Sequence, residues 1–106
     1  VVTGAAGGIG SEIAYLLAQY SPVLGIDYDA QALSKLVERG RGVTRARIEP
    51  ALADISSAEQ VASAFQGLPA EAKIGCLVNC AAIFDLRWGR FSGQWDKLRA
   101  DRSKEA

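Results

Sequence analysis

Short apolar runs recur along the chain and predict four strands. Residues 1–3 form the end of a first strand, and residues 23–26 form a second. Residues 48–53 predict a third strand, in which Pro50 favours an edge position because proline donates no ladder hydrogen bond. Residues 74–78 are apolar nearly throughout, as expected for a buried central strand of a parallel sheet.

The segments between these runs carry apolar residues at helical spacing. Residues 9–20 predict a first helix that ends at Ser21-Pro22, and residues 30–39 predict a second that ends at Gly40. The apolar residues of the first helix fall on one face at helical spacing: Ile9, Ile13, Leu16, Leu17 and Tyr20. Four residues of the second are expected to face inward: Ala30, Leu33, Leu36 and Val37.

A capping box predicts the start of a third helix, with Ser56 as the cap and Glu59 three residues later. Its apolar residues are Val61, Ala64, Phe65 and Leu68. Residues 82–93 predict a loop, and a polar helix is expected from Ser92 or Gly93 onward. Strands and helices therefore alternate, which is typical of an α/β fold with a parallel sheet and right-handed crossovers.

Length, charge and cysteine content narrow the class of protein. The chain has 106 residues, with 12 basic and 12 acidic side chains, so its charge gives no argument for nucleic acid or an anionic membrane. No apolar run approaches the length of a membrane span. Cys76 and Cys80 occur without any His, so no metal site is expected, and we interpret them as small buried residues in a reducing, cytoplasmic compartment.

A glycine-rich turn joins the first strand to the first helix, in the segment Gly4-Ala5-Ala6-Gly7-Gly8-Ile9-Gly10. Glycines let the backbone approach a pyrophosphate, and the free N–H groups at the start of a helix bind it. The turn therefore points to a dinucleotide, although an ordinary tight connection would have the same composition.

Asp27 follows the second strand, 23 residues after Gly4. A carboxylate there can accept hydrogen bonds from both hydroxyls of an adenosine ribose, and it would repel a 2′-phosphate. This interpretation favours NAD over NADP. The alternative is a turn residue at the strand end, or a helix cap shared with Asp29.

Asp54 and Asn79 follow the third and fourth strands. Asp54 could accept from the adenine amino group, or it could be a turn residue before the cap at Ser56. Asn79 could lie beside the cofactor, or it could tie neighbouring strands together. The small residues after it, including Ala81, would let a cofactor lie against the backbone.

Taken in order, these motifs resemble those of the short-chain dehydrogenase/reductase family. The segment TGAAGGIG matches the family pattern TGxxxGxG at Thr3, Gly4, Gly8 and Gly10. Asp27 matches its NAD-selecting acidic residue, and Asp54-Ile55 matches its adenine-pocket Asp with the following apolar residue. Residues 78–82, VNCAA, resemble its VNNAG segment, and the resemblance covers residues 1 to about 98.

The resemblance implies an incomplete Rossmann-type domain over residues 1–106, with strand order 3-2-1-4 and flanking helices. It implies NAD as the cofactor. Ile9 and the glycines would lie at the pyrophosphate, Asp27 at the ribose, Asp54 and Ile55 at the adenine, and Asn79 near the nicotinamide-side ribose. The parent protein would be an oxidoreductase acting on an alcohol or carbonyl substrate, and its full-length form a homo-oligomer.

The chain departs from the family pattern in its catalytic residues. The family uses a Ser together with a Tyr and a Lys in a YxxxK helix, and neither Tyr20 nor Tyr28 has a Lys four residues later. An Asn usually follows a Trp like Trp95, and here residues 99–104 are highly charged instead. We therefore assign no catalytic residue and expect the chain, which has no Met, to be the cofactor-binding half of a longer protein.

Three other interpretations stay open from the sequence. Gly4, Gly7 and Gly10 also satisfy GxxGxxG, the pattern of the larger epimerase-like branch. The chain could be a non-catalytic dinucleotide-binding module or a truncated gene product. A nucleoside-binding transferase, such as a methyltransferase, is the weakest alternative because its turn usually lacks this glycine pattern.

Overall fold

A computed structural model describes residues 1–82 of the chain. The final helix predicted from Ser92 or Gly93, nearly all of the predicted loop, and Trp95 lie outside these residues. The elements follow the predicted alternation: β1 (Val2–Thr3), α1 (Gly8–Leu17), β2 (Val23–Asp27), α2 (Ala30–Gly40), β3 (Ile48–Leu52), α3 (Ala58–Gln66) and β4 (Val78–Asn79).

The strands form one parallel sheet in the order β3-β2-β1-β4, flanked by helices. This confirms the α/β class, the Rossmann-type architecture and the predicted strand order. The register pairs Val2 with Gly25 of β2 and with Val78 of β4. β3 lies at the edge of the sheet, as Pro50 predicted. Because all strands are parallel, the segments that follow their carboxyl ends meet at one edge, where open α/β sheets bind ligands.

α1 packs against the sheet through a stripe of small residues and through part of the predicted apolar face, Ile13 and Leu17. Its buried residues are Gly10 and Ala14, and Ala18 directly after it is also buried. Ile13 and Leu17 are half-buried against the core as predicted, whereas Ile9, Leu16 and Tyr20 are exposed, so the prediction was wrong for these three. A stripe of small side chains at i, i+4 and i+8 lets the helix backbone lie close to the sheet, which leaves the larger residues at its flanks.

α1 also ends three residues before the predicted Tyr20. The N–H groups of Gln19 and Tyr20 donate to the carbonyls of Leu16 and Leu17, three residues back, at 3.1 and 2.9 Å. These tighter bonds close the last turn and satisfy carbonyls that a helix end would otherwise leave without a donor.

An ion pair joins α1 to α2 on one face of the sheet. The Arg39 guanidinium donates to both carboxylate oxygens of Glu12, at 2.7 and 3.1 Å, and lies 4.2 Å from the centre of the Tyr15 ring. The hydrogen bond from Arg39 lowers the pKa of Glu12 below its ordinary value. Beneath this pair, Leu33 and Leu36 of α2 are buried as predicted, whereas Ala30 is exposed.

α3 covers the other face of the sheet, over a smaller core of Leu24, Ile26 and Ala53. Ala64, Phe65 and Leu68 pack against this core and stay half-buried. The helix cap is Ser57, whose hydroxyl accepts from the Gln60 N–H at 3.2 Å, so the predicted capping box at Ser56 was wrong by one residue.

β4 is much shorter than the predicted strand over residues 74–78. Its two residues pair with Val2 and Thr3 of β1, and Ile74 and Leu77 before them are about half exposed. Cys76 is exposed and Cys80 is half-buried, so the expectation that both cysteines are buried was wrong.

Candidate cofactor site

The turn after β1 needs glycine at its first position. Gly4 has a φ of +64°, in the left-handed region that side chains disfavour, and the Gly7 N–H donates to its carbonyl at 3.1 Å. A Cβ on Gly4 would lie 2.6 Å from the Ala81 backbone nitrogen. Parallel strands place the turn and the segment after β4 at the same edge of the sheet, and the two segments pack directly against each other.

Gly10 and Gly8 differ in what surrounds them. A Cβ on Gly10 would overlap the Gly4 carbonyl oxygen, so this glycine lets α1 start directly against the turn. A Cβ on Gly8 would meet nothing within 4 Å. Gly8 is exposed and borders open space in front of the helix.

The start of α1 presents backbone donors to this open space. The first bond of the helix runs from the Ser11 N–H to the Gly7 carbonyl at 2.9 Å. Among the described residues, no acceptor receives the N–H groups of Gly8, Ile9 or Gly10. The first turn of the helix carries no acidic side chain. These three donors lie at the positive end of the helix dipole, an arrangement that suits an anion.

Asp27 ends β2 as a buried carboxylate, with 8% of its surface exposed. Its Oδ2 accepts from the Ala6 N–H at 3.0 Å, and its Oδ1 accepts from the Asp29 N–H at 3.0 Å. A carboxylate has about four acceptor positions, so about two stay available. Asp29 itself caps α2 by accepting from the Ala32 N–H at 3.1 Å.

The contact with Ala6 was missed by the sequence reasoning. A signal for it exists in the chain, because a short carboxylate at the end of β2 lies beside the turn after β1 in any parallel pairing of these strands. What the sequence lacks is the direction of each amide in the turn, which follows from the left-handed φ of Gly4.

Thr3, Asn79 and Ala81 form a second group, on the other side of the turn. The Thr3 hydroxyl donates to the Asn79 Oδ1 at 3.3 Å and accepts from the Ala81 N–H at 3.4 Å. The hydroxyl of buried Thr3 therefore ties β1 to β4. This is the strand-tying role that the sequence left open for Asn79, and it places Ala81 against the glycine turn.

A comparison with protein families identifies the family of this chain. The family described as short chain dehydrogenase matches residues 1–102. The chain belongs to the short chain dehydrogenase family. No curated protein matches the chain. The family match confirms the resemblance found in the sequence, and it indicates an oxidoreductase that uses a nicotinamide dinucleotide, either NAD or NADP.

In this short chain dehydrogenase, Asp54 is bonded to its own loop. Its Oδ1 accepts from the Ser56 hydroxyl at 2.7 Å and from the Ser56 N–H at 2.9 Å. The hydrogen bonds from the Ser56 side chain and then its backbone lower the pKa of the Asp54 carboxyl below its ordinary value. Asp54 thus makes the bonds of the turn role that the sequence left open, and its contact with an adenine stays a prediction. No hydrogen bond among the described residues joins it to the glycine turn.

The two apolar residues predicted to contact the cofactor are exposed. Ile9 lies at the start of α1 with 75% of its surface exposed, and Ile55 follows β3 with 49% exposed. Exposed β-branched side chains at the carboxyl edge of the sheet are available to pack against a planar ligand. Their exposure is compatible with the predicted contacts and leaves them as predictions.

The described residues fit a nicotinamide dinucleotide. The unbonded N–H groups of α1 suit a pyrophosphate, and the remaining acceptor positions of Asp27 suit ribose hydroxyls. Residues 1–82 contain no group of three or more side chains that could hold a metal ion. Within the same residues, no helix is long and apolar enough to cross a membrane.

Proposed function

We propose that this short chain dehydrogenase binds NAD in preference to NADP, and that it transfers a hydride between the nicotinamide and an alcohol or carbonyl substrate. The observation that carries the proposal is the combination of two features at one edge of the sheet. These are the unbonded N–H groups at the start of α1 and the buried carboxylate of Asp27, linked through Ala6.

The pyrophosphate is assigned to the start of α1. Gly8, Ile9 and Gly10 supply N–H groups that nothing else among the described residues uses. Gly8 leaves the approach to them open, since a side chain there would project into unfilled space. Two negative charges of a pyrophosphate are stabilised by these donors and by the helix dipole.

The preference for NAD is assigned to Asp27. Its carboxylate is buried and fixed by two amides, so it cannot swing away from an approaching group. Ribose hydroxyls can donate to its free acceptor positions, whereas a 2′-phosphate would bring negative charge against it. Its neighbours Tyr28 and Asp29 carry no positive charge that could offset this repulsion.

The remaining assignments follow the family pattern. Asp54 and Ile55 are assigned to the adenine, and Asn79 and Ala81 to the nicotinamide-side ribose, with Thr3 holding Asn79 in place. The bound cofactor supplies or accepts the hydride. The groups of this chain bind and orient it, and none of its three tyrosines, Tyr15, Tyr20 and Tyr28, has a Lys four residues later.

A second candidate function is dinucleotide binding without hydride transfer. It is favoured by the nature of the described site, which consists of backbone donors, acceptors and packing surfaces. A general acid with a pKa matched to the reaction is the further group that hydride transfer requires. Oxidation of simple secondary alcohols by the full-length protein, followed through NADH absorbance, separates the two functions.

The cofactor assignment is tested by Gly8→Val in the full-length protein. We expect NAD to bind at least about tenfold more weakly, because the new side chain would occupy the approach to the N–H groups, while the melting temperature stays unchanged. Gly75→Val is the matched control, because a Cβ on Gly75 also meets nothing within 4 Å. Equal NAD affinity in Gly8→Val and the wild type, measured by titration calorimetry, would contradict the assignment.

A further inference from the structure

Asp27 lies where three segments of the chain meet. Two consecutive amides of the glycine turn are bonded to the end of β2: the Ala5 N–H donates to the Ile26 carbonyl at 3.1 Å, and the Ala6 N–H donates to Asp27 Oδ2 at 3.0 Å. The other carboxylate oxygen accepts from the Asp29 N–H, one residue before α2. One buried side chain therefore holds the turn and the start of α2 together.

We propose that Asp27 is a positioning residue for the glycine turn, in addition to its assigned contact with the ribose. The inference rests on the proposed function, since it concerns the same cofactor. The bond from Ala5 ends on a backbone carbonyl and survives any substitution, whereas the bond from Ala6 exists only while residue 27 presents an acceptor. The donors of Gly8, Ile9 and Gly10 follow directly after this anchored amide.

The number of hydrogen bonds that a carboxylate can accept explains why aspartate suits both roles. The two amides occupy one position on each carboxylate oxygen, which leaves about one on each for two ribose hydroxyls. An asparagine would offer one oxygen, and its NH₂ would face one of the two amide donors. Asp27→Asn therefore removes one anchor while the shape of the side chain stays the same. Asp27→Ala removes both.

The consequence is that Asp27 contributes to binding of the pyrophosphate even when the ribose does not touch it. An acceptor for the ribose alone would act only through the hydroxyls. A residue that also positions the turn changes the affinity for a dinucleotide without those hydroxyls. The two roles are separated by a thermodynamic cycle in which the protein and the ligand are each altered once.

The experiment compares NAD with the analogue whose adenosine ribose lacks both hydroxyls. Each ligand is titrated into the full-length wild type, Asp27→Ala and Asp27→Asn. We expect Asp27→Ala, which removes both anchors, to bind the dideoxy analogue at least about threefold more weakly than the wild type does, and Asp27→Asn to lie between the two. Unchanged affinity for the analogue, with weaker NAD binding, would overturn the positioning role and keep the ribose contact.

Amide hydrogen exchange without any ligand gives a second readout. In Asp27→Ala, which removes the acceptor of Ala6, we expect faster exchange at Ala6, with the core amides of β2 unchanged. Asp29→Ala is the control, because it removes a neighbouring carboxylate that caps α2 and leaves the anchor of Ala6 intact. Equal exchange at Ala6 in wild type and Asp27→Ala would overturn the inference. Absence of NAD binding to the wild type would instead overturn the proposed function.

Discussion

The three glycines of the family motif in this turn, Gly4, Gly8 and Gly10, differ in why glycine is needed. Gly4 has a positive φ and no room for a side chain, and Gly10 lies directly against the Gly4 carbonyl. The protein's own atoms therefore demand glycine at both positions. Gly8 has open space around its missing side chain, so the fold alone does not demand glycine there. The family motif thus combines two residues that build the turn with one that keeps its approach clear.

Gly4→Ala should destabilise the protein more than Gly8→Ala. A non-glycine residue at a left-handed φ costs about 1–3 kcal/mol, and the methyl group would also press on the Ala81 backbone nitrogen. Urea denaturation of both variants measures the difference in the free energy of unfolding. If Gly4→Ala were as stable as Gly8→Ala, the described contact between the turn and Ala81 would be wrong.

The carboxyl of Asp54 should titrate below its ordinary pKa because of Ser56. In Ser56→Ala we expect the pKa of Asp54 to rise, since the hydroxyl that donates at 2.7 Å is lost while the backbone N–H at 2.9 Å remains. A lowered pKa in the folded state adds stability above the unfolded pKa, and this is lost as the pH falls through the folded pKa. Carboxyl NMR titration measures the shift, and an identical pKa in Ser56→Ala would contradict the hydrogen bond.

Among the elements, the sequence predicts the order and types well and the packing faces less well. The periodicity of α2 correctly predicts that Leu33 and Leu36 are buried. In α1, Ile13 and Leu17 pack on the core as predicted, but the most deeply buried residues are Gly10 and Ala14, because close approach to the sheet selects small side chains. Such a choice depends on the distance between helix and sheet, which hydrophobic periodicity alone does not contain.

The two outer strands of the described sheet differ in how well the sequence predicts them. The 74–78 run has the composition of a buried strand, yet only Val78 of this run pairs with β1, because composition does not contain the register of pairing. Pro50, by contrast, correctly predicts an edge. The Ala53 N–H donates to the Asp27 carbonyl, so alternate residues of β3 direct their N–H groups towards β2 and Pro50 lies in the outward set.

The cap of α3 gives a prediction at the scale of the element. Ser57→Ala removes the hydroxyl that accepts from the Gln60 N–H, and we expect a loss of about 1 kcal/mol in the free energy of unfolding. Ser56→Ala is the matched control, because Ser56 is bonded to Asp54 and does not cap the helix. A larger loss in Ser56→Ala than in Ser57→Ala would restore the capping box predicted from the sequence.

At the scale of the whole molecule, the parallel sheet brings motifs that are distant in sequence together at one edge. Thr3, Asp27 and Asn79 each end a strand. The glycine turn is bonded to Asp27 and packs against Ala81, and Thr3 is bonded to Asn79. The motif spacing could be predicted because it is written in the local sequence, and the strand order could be predicted because the family resemblance implies it. The hydrogen bonds that join the motifs, such as the bond from Ala6 to Asp27, could not be predicted, because they depend on the directions of the amides in the folded turn.

The central claim is that this edge binds NAD in preference to NADP. The most direct test is calorimetric titration of both dinucleotides into the full-length protein under the same buffer and salt conditions. The account predicts that NAD binds at least about tenfold more tightly than NADP, a difference of about 1.4 kcal/mol. Equal or tighter binding of NADP would contradict the role given to Asp27, and binding of neither would contradict the site itself.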